Sequence, residues 1–84
     1  MARIASYAKS DLGQKQAAIA DYDHAIMINP NLAQAYYNRG KTKYNLGQKQ
    51  AAAIDLAKAA ELFRQQGKMD FYEQMIRLIQ KIKG

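Results

Sequence analysis

The chain has 84 residues, a formal net charge of +6, no cysteine and one proline. At this length it makes one small domain that buries only about 60% of the surface its unfolded form exposes, and without cysteine neither a disulfide framework nor a thiolate metal site can staple it. No apolar run approaches the roughly 20 residues of a membrane-spanning helix, and Met-Ala-Arg-Ile-Ala-Ser-Tyr at the N-terminus lacks the apolar stretch of a secretory signal, so a cytoplasmic location off the membrane is expected.

Ala, Gln, Lys, Leu and Ile dominate, Val is absent and Thr occurs once, at Thr42, which predicts an all-α protein. The opening helix spans about Ala2 to Leu12, and Gly13 is expected to end it in the left-handed conformation that glycine adopts readily. A second helix, about Lys15 to Ile28, carries Ala18, Ile19, Tyr22, Ala25, Ile26 and Ile28 as one apolar stripe. Asn29-Pro30-Asn31 stops it, because proline disfavours helical geometry in the residue before it and suits a first turn. The next helix runs from about Leu32 to Leu46, its partner from about Gln48 to Gln65, and Gly67 ends the pair. The last helix covers about residues 70–83, with Asp70 as cap and Glu73 completing a capping box. Its apolar residues span a wide arc.

The strongest signal is internal. Shifting the chain by 34 residues superposes Leu12-Gly13-Gln14-Lys15-Gln16-Ala17-Ala18 on Leu46-Gly47-Gln48-Lys49-Gln50-Ala51-Ala52, and the same offset pairs Lys9 with Lys43, Asp21 with Asp55 and Ala25 with Ala59. A fixed period of this size means stacked supersecondary units that each bury a face against the next. Tyr36, then Gly40, then Ala52 with Leu56 and Ala59 (Ala18, Tyr22 and Ala25 in the first unit), closed by Pro30, resembles the pattern of the tetratricopeptide repeat. The family's second aromatic falls here on Lys43, and its apolar residue before the glycine on Arg39. The resemblance implies an α-solenoid of two helical hairpins, over about residues 2–29 and 31–66, followed by a helix like those that close such arrays.

Catalysis has no visible apparatus, because a nucleophile or general base needs a second polar group fixed beside it. His24, the single histidine, reads as solvated, and Asp21, Asp23 and Asp55 lack the spacing of a calcium loop. The chain is therefore expected to be a non-enzyme with no metal and no cofactor. Met27, Met69 and Met75 read as core filling, and Arg77, Lys81 and Lys83 as complements to a helix dipole.

What the resemblance implies about function is a protein–protein interaction module, binding an extended peptide or a partner helix in the groove lined by the first helices of the units. The groove residues would be Arg3 and Tyr7, with Ser10, on the first unit and Gln34, Tyr37, Asn38, Lys41 and Asn45 on the second. A basic and aromatic groove suits an acidic peptide. The alternative is a structural role, as a homo-oligomer or the end of a longer array. Self-association, as a homodimer, is expected through Phe71, Met75, Leu78, Ile79 and Ile82 of the last helix, because two units fall short of the three that usually make a stable stack. Nucleic-acid binding through the net charge ranks last, since the cations are interleaved with acids rather than aligned with aromatics along one channel.

Overall fold

The computed structural model describes the backbone from Ala2 and the side chains of residues 12–84. Four helices follow in order: α1 (Ala2–Ile28), α2 (Ala33–Asn45), α3 (Lys49–Gln65) and α4 (Met69–Lys83), with no strand among the described residues. Sequential helices pack antiparallel on their neighbours, giving an all-α stack of helical hairpins.

The two loops that join α2 to α3 and α3 to α4 are built alike. Gly47 (φ 84°) and Gly67 (φ 76°) hold the left-handed conformation that ends many helices. The Gly47 N–H donates to the Tyr44 carbonyl at 3.0 Å and the Gln48 N–H to the Lys43 carbonyl at 2.9 Å; Gly67 and Lys68 repeat the pattern on Arg64 and Phe63. These paired bonds satisfy carbonyls that a helix end leaves open, and they reverse the chain within two residues. Between α1 and α2, Asn29 Oδ1 accepts from the Asn31 N–H at 3.1 Å, so the Asn-Pro-Asn stop forms an Asx turn as its composition implies.

At Gly13 the structure departs from the sequence reading. The turn expected there is absent and α1 continues through it, so the hairpin predicted over residues 2–29 is a single helix. Glycine inside a helix costs only about 1 kcal/mol relative to alanine, and Gln14-Lys15-Gln16-Ala17-Ala18 after it are strong helix formers. Gly13 is not among the glycines with positive φ, so the conformational freedom that ends the helices at Gly47 and Gly67 is not used there. The turn at Gly47 has the α2–α3 interface behind it.

The core lies between α2, α3 and α4. Ala33, Leu56, Ala59, Ala60, Leu62, Phe63 and Met75 are buried together, with Tyr36, Tyr37, Tyr72, Ile76, Leu78, Ile79 and Ile82 packed around them. Ala52 and Ala59, both fully buried, and Gly40 let α2 and α3 approach closely. A Cβ on Gly40 would sit 3.1 Å from the Ala52 carbonyl and 3.2 Å from Leu56 Cγ. Phe71 stacks on Phe63 with centroids 5.0 Å apart, fixing the start of α4. That start is uncapped: Lys68 precedes the helix, and the capping box expected of Asp70 and Glu73 does not form. Asp70 instead lies in the first turn, where a carboxylate complements the positive helix end. Glu73 reaches Arg77 at 3.8 Å.

Candidate functional site

Two polar features stand out on this scaffold, one a structural tie and one a groove. The tie centres on Asp55, which is 3% exposed on α3. Arg39 of α2 donates to it twice, from Nε to Oδ2 at 2.8 Å and from Nη2 to Oδ1 at 2.7 Å, and Lys43 Nζ lies 3.1 Å from Oδ2 as well. The remaining Arg39 nitrogen, Nη1, donates to Asp23 of α1 at 2.7 Å, and the guanidinium lies 5.4 Å from the Tyr36 ring centroid. The hydrogen bonds to Asp55 are the largest influence raising the Arg39 pKa above its already high ordinary value, against desolvation, with Asp23 adding to the rise. One guanidinium thus joins three helices. Asp55, Arg39 and Lys43 occupy positions where the sequence pattern sets an unremarkable helical acid and two departures from the family's apolar residues. The missed signal was that an acid inside the α3 apolar stripe requires a cationic partner.

The groove lies between α2 and α4. Tyr37, Lys41 and Tyr44 line it from α2, Leu78, Lys81 and Ile82 from α4, and Leu56 of α3 forms its floor, enclosing about 150 Å³. The i, i+4 and i+7 spacing of the α2 residues and the i, i+3 and i+4 spacing on α4 put each set on one face. Lys41 Nζ is 5.8 Å from the Tyr37 ring centroid. Neither Lys41 nor Lys81 has a carboxylate partner among the described residues. An apolar floor with a cation on each wall can hold an apolar group flanked by negative charge.

Of the groove residues named from sequence, Tyr37 and Lys41 line this cavity. Gln34 Nε2 donates to Asn38 Oδ1 at 3.3 Å on α2 without lining the cavity, and Asn45 lies exposed at the helix end. The side chains of Arg3, Tyr7 and Ser10 lie outside the described residues. Leu78 and Ile82, assigned from sequence to self-association, line the cavity, and Tyr44, Leu56 and Lys81 join them unforeseen. Met75 is 1% exposed within the chain's own core, so it is not part of an accessible face of α4.

A family model described as "TPR repeat" matches residues 7–47, and one described as "Tetratricopeptide repeat" matches residues 33–66, so the two together cover most of the chain. The chain belongs to the tetratricopeptide repeat family. Such repeats generally mediate protein–protein interaction and are a non-catalytic module. This tetratricopeptide repeat chain is also similar to a serine/threonine-protein phosphatase T of Trypanosoma brucei brucei (strain 927/4 GUTat10.1), with 36% identity over 67 residues. The match takes in 75% of this chain and only 14% of that relative. No solved structure matches the chain. Among the described residues no helix is long and apolar enough to cross a membrane.

Proposed function

We propose that this repeat chain binds an extended acidic peptide in the α2–α4 groove, seating one apolar side chain on Leu56 between Lys41 and Lys81. The observation that carries the reading is the cavity itself, apolar at its floor and bounded by two lysines without carboxylate partners among the described residues. Its size is below the roughly 300–1,000 Å³ of sites for whole small molecules, which favours one anchoring side chain of a longer ligand. Tyr37 and Tyr44 supply rigid contact area, and the lysines interact with carboxylates beside the anchor. A peptide library selected on the purified chain should yield sequences with a medium-sized apolar residue next to Asp, Glu or a terminal carboxylate. Lys41→Glu and Lys81→Glu should each weaken such a peptide by about fivefold, about 1 kcal/mol. Selected peptides with no acid, or equal affinity of both variants, would refute the groove.

A second reading, self-association as a homodimer through α4, is favoured by a second hollow, between α3 and α4, that shares Ile82 with the groove. Ile54, 69% exposed, borders it with Ala53, Ala57, Ile79 and Ile82. A second copy covering this face would bury Ile54, and Ile79→Glu should then weaken the dimer. Sedimentation of the unmodified chain as a single species of one-chain mass at every concentration would exclude it.

A further inference from the structure

The α3–α4 hollow differs from the groove in shape, and so in what it can hold. It opens about 620 Å³, against about 150 Å³ for the groove. Along α3 it runs from Lys49 to Ala57, a rise of about 12 Å at 1.5 Å per residue, or just over two helical turns. Ala53 and Ala57 lie one turn apart on α3 and present only methyl groups, while Ile54 on the same helix and Ile79 and Ile82 on α4 are the large apolar side chains beside them. Ile54 is 69% exposed and Ala57 is exposed as well, so none of the described helices covers this face.

Small residues between larger ones form a depression into which a ridge of another helix packs, with axes about 8–10 Å apart. An extended chain long enough to fill the hollow fits worse. Its backbone N–H and C=O groups would lie over Ala53 and Ala57, and among the described residues Gln50 is the one uncharged polar side chain lining the hollow. Backbone groups left unpaired are costly to bury. A helix satisfies its own backbone and offers apolar side chains one turn apart.

Charge sets the partner's chemistry. Lys49 at the start of α3 and Lys83 at the end of α4 both line the hollow, at its end away from the α3–α4 loop. Both are exposed, and neither has a carboxylate partner among the described residues. No acidic residue lines the hollow among the described residues, and Asp70 of α4 sits in the first turn of that helix, by the loop at the opposite end.

We propose that the hollow receives an amphipathic helix of a partner protein, apolar at i, i+3 or i+4 and i+7, with one or two carboxylates at the end that meets Lys49 and Lys83. A second copy of this chain, the competing occupant, is the poorer match at this rim because it brings the same net charge of +6. The hollow and the groove share only Ile82, so the two sites can be tested apart.

The test uses peptides of about four turns, locked as helices by a side-chain staple, with one face and both end residues randomised and selected on the purified chain. Retained peptides should be apolar along the randomised face and bear Asp or Glu at one end. Their affinity should fall by about tenfold or more in Ala57→Arg, which fills the floor, and in Ile54→Glu. It should fall about fivefold in Lys49→Glu or Lys83→Glu, and should not change in Lys41→Glu, whose side chain lines the groove but not the hollow. Ile54 and Ala57 are exposed, so far-UV circular dichroism should show parental helicity in both variants. No retained helix, retained helices without an acid, or affinity unchanged in Ala57→Arg and Ile54→Glu would overturn the proposal. A loss in Lys41→Glu as large as that in Ala57→Arg would do the same, by placing the peptide in the groove. So would equal binding of a retained sequence freed of its staple and broken by proline, which assigns the hollow to an extended peptide. A dimer of the unmodified chain in sedimentation that Ala57→Arg converts to monomer would assign the hollow to a second copy instead.

Discussion

Removing the Arg39 guanidinium tests whether the buried ion pair holds this small stack together. In Arg39→Met the Asp55 carboxylate, 3% exposed, loses both short hydrogen bonds and keeps only Lys43 at 3.1 Å. Breaking one side of a buried pair costs about 3–5 kcal/mol because the other charge stays desolvated. With Lys43 still in place the lower end applies, about 3 kcal/mol. That is a large fraction of the roughly 4–13 kcal/mol available to a chain of this length, and it corresponds to a fall of about 12–24 °C in Tm. Asp23 adds little to the loss, since its side chain is 54% exposed and hydrates freely. The companion variant Arg39→Met with Asp55→Leu removes both charges and should recover to within about 1 kcal/mol of the parent, because an apolar replacement of a buried pair is often neutral or better. Lys43, 20% exposed, can extend to solvent once Asp55 is gone. Urea unfolding followed by far-UV circular dichroism, with the midpoint read at unchanged slope, measures each value. A single variant within about 0.5 kcal/mol of the parent, or a double variant less stable than the single, would refute the reasoning.

Two glycines in identical sequence should respond with opposite sign. Gly47→Ala forces a side chain into a φ of 84° and should lower stability by about 1 kcal/mol, whereas Gly13→Ala sits in a regular helix and should raise helicity and stability by a similar amount; thermal melts of both proteins check the pair, and equal effects would mean the two segments share one conformation. Gly40→Val should cost about 1–3 kcal/mol by overpacking, because even a Cβ there comes within 3.1 Å of the Ala52 carbonyl and Asp55 Cβ, and a melting temperature at or above the parent's would show that α2 and α3 can separate freely.

Composition and the 34-residue self-match were enough to define an all-α stack, its family and three of its connections. The reason is local: Asn-Pro-Asn stops a helix by the steric rules of proline, and a glycine followed by strong helix formers reverses the chain when a partner helix is there to receive it. The groove was partly legible, since Tyr37 and Lys41 share one face of α2 by spacing alone. Three things needed the tertiary structure. Whether Gly13 turns could not be read from its seven-residue segment, because the identical segment reverses the chain at Gly47 and stays helical at Gly13. The α4 residues Leu78, Lys81 and Ile82 became walls of the cavity only because α4 packs beside α2 across Leu56. Asp55 joined Arg39 and Lys43, sixteen and twelve residues earlier in the chain, because the α2–α3 crossing buries its carboxylate and brings their side chains within hydrogen-bonding distance of it. Periodicity assigns a residue to a face, but the packing of a neighbouring helix decides what that face meets.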